Sequence, residues 1–303
     1  MNAITKLDER YQQIESVLNA MTSEHSKRAY KRALTDFIDW HTQQGQPMLN
    51  KALVNAYKAY LLDTGKGASV VNQSLCAIRK LIREAADNGA IDPINAQGIA
   101  NVKGVKSEAL PAGRAISQGE LSAMLAICGR GTKGIRDSAI IAILYACGLR
   151  RSELTKLNLE GYDPDTGELK IIGAKGNKSR TAYATNGAKL ALDDWLTIRG
   201  NEPGALFLPI RKGGHVERDR LTTQAVYHIL QTRAAQAGVS HLSPHDFRRS
   251  FVGDLLDAGA DISTVQKMAG HADVSTTARY DRRPEETKRK AASLLHVPYF
   301  GNV

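Results

Sequence analysis

Apolar residues recur at helical spacing along nearly all of the 303 residues, and the period changes to two only once, around residues 168–183. A chain patterned this way buries helix stripes against other helices and has room for one small β-hairpin. Leu7, Tyr11, Ile14 and Leu18 form one stripe over residues 7–21. Thr22-Ser23 then caps a second helix running to about residue 44, with Ala29, Ala33, Phe37 and Trp40 on one side. Gly45-Gln46-Pro47 breaks that helix. A third is expected over 50–63, stopping at Gly65-Lys66-Gly67. A fourth spans 69–88, with Leu75, Ile78, Leu81 and Ile82 as its apolar face and Gly89 beyond its end.

Residues 103–114 have the Gly, Pro and Lys content of a linker. The chain is therefore divided into a helical domain at 1–108, a linker at 109–115 and a second domain at 116–303. The second domain opens on a capping-box pattern, Ser117-Gln118-Gly119-Glu120, before Leu121, Met124 and Leu125. Helices continue through 135–146. Two short strands, 168–172 and 180–183, flank a polar glycine-containing turn. Helices resume at about 186–199, 222–237, 244–256, 262–268 and 284–295.

Hydrophobic residues make up 42% of the chain, too many for a disordered protein, while the 6% aromatic content calls for aliphatic cores. The net charge of +10 fits nucleic-acid binding, an anionic membrane surface or plain solubility, and charge does not choose among them. Cys76, Cys128 and Cys147 are odd in number and lack metal-ligand spacing, so a reducing compartment is expected and a disulfide framework is not. Residues 1–21 lack the apolar run of a signal peptide, and the longest apolar run, 139–147, is too short to span a bilayer. A cytoplasmic, nucleoid-associated protein is the expectation.

Four local patterns carry chemistry. In Ser243-Pro244-His245-Asp246-Phe247-Arg248, Ser243 suits a helix N-cap and Pro244 the first helical position. His245 and Arg248 then share one face in the first turn, where the helix dipole favours an anion, while Phe247, Phe251 and Leu255 face the core. In Gly148-Leu149-Arg150-Arg151-Ser152-Glu153-Leu154, Arg150 sits at a corner between helices and needs a carboxylate such as Glu153, or a phosphate, as its partner. The turn Lys175-Gly176-Asn177-Lys178 is basic and sits between the strands. Finally, Ala269-Gly270-His271 ends a helix shortly before Thr276-Thr277-Ala278-Arg279-Tyr280. Taken singly, each pattern is more often a solvated helix start, a structural ion pair or an exposed turn.

In this order the motifs resemble the tyrosine recombinase family, the phage integrase and Xer-like enzymes, over nearly the whole chain. The resemblance implies a mainly α, two-domain DNA clamp. Its parts would be a four-helix SAM-like core-binding domain and a mixed α/β catalytic domain holding the hairpin. It implies a site-specific recombinase that cleaves and rejoins DNA through a 3′-phosphotyrosine and a Holliday junction. Tyr280 would be the nucleophile. Arg150 and Arg248 would clamp the scissile phosphate. Lys175 would protonate the departing 5′-oxygen. His245 would assist proton transfer, His271 would donate a further hydrogen bond, and Glu153 would support the site. The turn is longer than usual by Ala174, so Lys178 stands as the alternative catalytic lysine. Thr181-Ala182-Tyr183 also replaces the usual Val-Pro after the hairpin.

Phosphoryl transfer needs its developing negative charge stabilised, which arginines and histidines do without a metal or cofactor. No metal or cofactor is expected. Lys27, Arg28, Lys31 and Arg32 on the second helix, and Arg79, Lys80 and Arg83 on the fourth, are candidate DNA contacts, with a solvated helix face as the ordinary alternative. The tail, about 284–303, either packs on its own domain or docks on a neighbouring subunit, the latter giving a homotetramer on two double-stranded DNA sites. A partner recombinase or a directionality factor would fit the same scheme. Two other readings share some features: a type IB topoisomerase-like enzyme, and a DNA-binding accessory protein without catalysis.

Overall fold

A computed structural model describes residues 14–106, 113–173 and 179–283, with 289, 292–296 and 298 of the tail. The chain divides into two compact units, Met1–Pro111 and Ala112–Val303. The expected helix start at 7–13, the turn holding Lys175 and Lys178, and most of the expected 284–295 helix lie outside the described residues.

In the first unit residues 14–19 are helical and are followed by α1 (Glu24–Gln43), α2 (Lys51–Asp63), α3 (Ala68–Asp87) and α4 (Pro93–Ala100). The expected helix starts hold because short polar side chains cap them. Ser23 Oγ accepts from Ser26 N at 3.3 Å, and Asn50 Oδ1 from Leu53 N at 2.9 Å. Leu34, Phe37, Val54, Tyr57, Leu75 and Ile78 meet in the core. α4 is not among the expected helices. Asp92 caps it at 3.1 Å and Pro93 takes its first turn, but only Ile99 is buried, so it has no apolar stripe to read.

In the second unit α5 (Gln118–Ala126) starts on the capping box, with Ser117 N donating to Glu120 at 2.9 Å. α6 (Thr132–Cys147) runs through the middle, with Ile140, Ile141, Ile143 and Leu144 all buried. Burial of each such side chain stabilises the fold by about 1.5–3 kcal/mol. Asp137, buried on the same helix, is held between Arg136 and Arg233, each at 2.7 Å. The short α7 (Arg151–Leu154) follows the α6 corner. The hairpin pairs β1 (Glu168–Ile171) antiparallel to β2 (Arg180–Tyr183), from Glu168 opposite Tyr183 to Ile171 opposite Arg180. Leu169, Ile171 and Ala182 are buried from it.

Four further helices complete the described unit, α8 (Asn186–Arg199), α9 (Thr223–Gln236), α10 (Pro244–Asp257) and α11 (Ile262–Ala269), with α12 (Val274–Ala278) as a single added turn. α6 packs against α8 and α10. Trp195 is fully buried in the core and donates its indole N–H to Leu206 O at 2.9 Å. Among the described residues no helix is long and apolar enough to cross a membrane.

Candidate active site

The site is built around the end of α11. Gly270 N donates to Lys267 O at 3.0 Å and His271 N to Gln266 O at 3.1 Å, closing the helix in a Schellman arrangement. Gly270 makes this possible through a φ of 65°, a left-handed value that favours glycine. The next three carbonyls are left without helical donors. Each is taken by an arginine from another element. Arg180 Nη1 donates to Met268 O at 2.5 Å, Arg248 Nη2 to Ala269 O, and Arg150 Nη2 to Gly270 O at 3.2 Å. Three guanidiniums thus converge where the helix dipole is negative.

Arg150 precedes α7, at the corner that follows Gly148. Gly148 has φ 55°, and a Cβ there would collide with the Phe251 ring. The resulting sharp turn lets Gly148 O accept from Arg248 Nη1 at 2.8 Å. Arg248 lies one turn into α10 and is 4% exposed. Its neighbour Asp246 closes the helix start by accepting from Ser243 N at 2.7 Å. The expected pairing of Arg150 with Glu153 is present at 2.5 Å, and Arg180 Nη2 reaches the other Glu153 oxygen at 3.0 Å. Each guanidinium has five N–H donors, so Arg150 and Arg248 keep donors beyond those engaged here.

One buried carboxylate therefore faces three guanidiniums, and the local charge is strongly positive. Burial pushes the Glu153 carboxyl up, but the Arg150 amide and the Arg180 and Arg150 guanidiniums outweigh it and hold the group below the usual range. Arg248 is pushed down to about 9, first by burial and then by Arg150. His271 is pushed down to about 4 by burial and by Arg248, Arg150 and Arg180. His245 is also lowered, by desolvation and then by Arg248 and Arg150. The residue is nevertheless exposed at the start of α10. Both histidines are neutral at pH 7, each with one N–H to donate.

His271 Nδ1 lies 2.9 Å from the hydroxyl of Thr277, a fully buried residue at the start of the Thr-to-Tyr segment. A hydroxyl donating to Nδ1 leaves the proton on Nε2, the nitrogen free to meet a ligand. The Tyr280 ring is half-buried against Phe251, Val252, Leu256, Val265 and Ala269. It lies 6.3 Å from the His271 ring, and the Arg249 guanidinium sits 5.5 Å from its centre. The structure thus brings Arg150, Glu153, Arg248, His271 and Tyr280 together around the α11 end, with His245 on the same first turn as Arg248. Lys175 and Lys178 lie outside the described residues. Sequence reading gave no role to Arg180, Thr277 or Arg249. Arg180 opens a strand and looks there like an exposed cation; only its 27-residue reach to Glu153 and 88-residue reach to Met268 reveal it.

A pH dependence follows from the depressed His271. Its imidazole in the unfolded chain takes up a proton below about pH 6.5, while in the folded protein it resists until about pH 4. The folded state binds fewer protons in that window, so its contribution is intact above the window and lost as pH falls through it. Urea unfolding of His271→Gln should show a shallower loss of stability between those pH values than the wild type. An unchanged slope would contradict the burial of a neutral imidazole.

In the first unit the candidate DNA contacts are unequal. Lys27 pairs with Glu24 at 2.9 Å and Lys31 with Glu15 at 3.2 Å. Arg79 is half-buried and donates to Val102 O, tying α3 to the chain after α4. Lys80 is half-buried, whereas Arg28, Arg32 and Arg83 are exposed on their helices. Among the described residues no group of His, Cys, Asp and Glu is placed to hold a metal ion.

Residues 114–286 match the phage integrase family, and residues 15–89 match the phage integrase N-terminal SAM-like domain. A tyrosine recombinase XerC of Alcanivorax borkumensis is 33% identical over 279 residues, covering 85% of this chain and 83% of the relative. Among solved structures, XerH site-specific recombinase bound to palindromic difH substrate has a TM-score of 0.68 at 20% identity, over 88% of this chain and 79% of that one. A lambda integrase tetramer bound to a Holliday junction has a TM-score of 0.69 at 16% identity, over 92% and 78%.

Proposed function

This chain belongs to the phage integrase family of tyrosine recombinases, and from that premise we propose how its residues break and rejoin DNA. The Tyr280 hydroxyl attacks a phosphodiester. The bond from phosphorus to the 5′-oxygen breaks, a 3′-phosphotyrosine forms, and the freed oxygen takes a proton to become a 5′-hydroxyl. Arg150 and Arg248 neutralise the non-bridging oxygens through the donors they keep free. His271 donates from Nε2, fixed by Thr277. His245, neutral and exposed, accepts the phenol proton. Lys175 is the proposed donor to the 5′-oxygen, with Lys178 as the alternative from the same turn. Religation runs the same steps backwards with a different 5′-hydroxyl, so the bond energy is conserved. The observation that carries this reading is the convergence of Arg150 and Arg248, from distant helix starts, beside His271 and Tyr280.

The substrate is double-stranded DNA carrying recombination sites, and both the domain at 1–108 and that at 116–303 contribute to binding it. Arg28, Lys31, Arg32 and Arg83 are exposed on the first domain, and Lys27, Arg79 and Lys80 are half-buried on the same helices. Four copies act on two sites, each docking its 284–303 tail on a neighbour, and the DNA strands are exchanged through a Holliday junction. Support for the exchange comes from Leu294 and Leu295, 84% and 79% exposed on that tail. An apolar groove of about 680 Å³ on the catalytic unit, lined in part by Leu121, Leu125, Ala142, Phe251 and Leu255, offers such a tail a receptor. The same chemistry serves integration and excision of a mobile element or resolution of dimers, and the target site separates these roles.

The test uses nicked duplexes from candidate sites and two-site DNA. Wild type should form a covalent protein–DNA band and recombinant product, and Tyr280→Phe neither. A variant lacking residues 285–303 should bind one site and yield no recombinant. A covalent band from Tyr280→Phe would contradict the nucleophile. Recombination by the truncated variant would contradict the exchange.

A further inference from the structure

We infer that Arg180 is a positioning residue for the phosphate clamp: by tying Glu153 to the end of α11, it fixes the pose of the Arg150 guanidinium. The inference rests on the reading of Arg150 given above. Arg180 is the first residue of β2, and its side chain is 10% exposed. Its two terminal nitrogens bond to different elements, Nη2 to Glu153 Oε2 at 3.0 Å and Nη1 to Met268 O at 2.5 Å. Arg150 bridges the same two anchors, through Glu153 Oε1 at 2.5 Å and Gly270 O at 3.2 Å. The two guanidiniums, the carboxylate and the helix end therefore form a closed ring. Removing Arg180 opens it between Glu153 and Met268 O. Glu153 is then free to turn toward its remaining partner, and Arg150 turns with it.

Two further observations place Arg180 in this role. A Cβ on Gly270 would meet Arg180 Cδ and Nε at 2.8 Å, so the glycine of the Gly-His pair makes room for this side chain. Arg180 Nε is buried without a hydrogen-bond partner, so the donors it uses are the two terminal nitrogens that join Glu153 to the end of α11. A lysine carries the charge but is a single donor head, and does not span acceptors on two elements as a fork does.

The experiment compares wild type, Arg180→Met and Arg180→Lys in single-turnover cleavage of a nicked duplex. The scissile linkage is either a phosphodiester or a methylphosphonate, which lacks the non-bridging charge. On the phosphodiester Arg180→Met should be about 10–100-fold slower, the penalty for a misplaced catalytic group, with DNA binding within about threefold. On the methylphosphonate the gap should close to about threefold or less, because no charge remains for the clamp to neutralise. Arg180→Lys should fall between, and it secures the comparison if the methionine variant does not fold. Equal losses on both linkages, or rates within about threefold of wild type on the phosphodiester, overturn the inference, since misplacement should cost more. A wild type that forms no covalent product on the sites it binds overturns instead the reading of the site on which the inference rests.

Discussion

Arg248→Lys should lower the rate of DNA cleavage by roughly 10²–10³-fold, the scale for losing one preorganised donor at a developing oxyanion. The substitution keeps a cation, so the loss isolates geometry. Arg248 is 4% exposed and its two terminal nitrogens bridge Gly148 O and Ala269 O, carbonyls that end two different helices. A lysine ammonium satisfies one of them and turns away from the other. It also offers fewer donors to a phosphate than the guanidinium does. DNA binding should change little, because most affinity comes from phosphate contacts elsewhere on the duplex. Single-turnover cleavage of a nicked substrate measures the effect, and a rate within tenfold of wild type would remove Arg248 from the proposed clamp.

Glu153→Ala should destabilise the catalytic unit by about 3–5 kcal/mol, as expected when one partner of a buried ion pair is removed. Glu153 is 4% exposed and is the carboxylate paired with both Arg150 and Arg180. Without it three guanidiniums face one another around helix carbonyls that supply only partial charge. Glu153→Gln keeps the shape and one acceptor and should cost less, although its amide directs a donor at a donor. Urea unfolding followed by a probe in the catalytic unit decides it. A loss below 1 kcal/mol for the alanine variant would mean that the guanidiniums do not depend on Glu153.

Much of this site could be read in the sequence because its chemistry falls at helix starts and ends, which carry strong local signals. Ser243-Pro244 announces the α10 start and so puts His245 and Arg248 in one turn. Gly148 and Gly270 mark the two corners, and each is held in the left-handed region. The Arg150 to Glu153 pair was legible because it spans one helical turn. What the sequence does not show is non-local. The sharing of Met268, Ala269 and Gly270 carbonyls among three arginines depends on packing of β2, α7 and α10 around α11. α4 escaped for a different reason, since a helix of two turns burying only Ile99 has no period to detect. In the first unit, sequence shows a row of cations but not that Arg79 is engaged by Val102 O or that Lys27 and Lys31 face glutamates.

The central claim is that Tyr280 becomes covalently joined to DNA. Its most direct test is to trap wild type on a nicked site, digest the complex with protease and nuclease, and sequence the nucleotide-bearing peptide by mass spectrometry. A single modification on Tyr280 is the expected result. Modification of any other tyrosine, or a peptide covering Tyr280 recovered only unmodified from trapped complex, would contradict it.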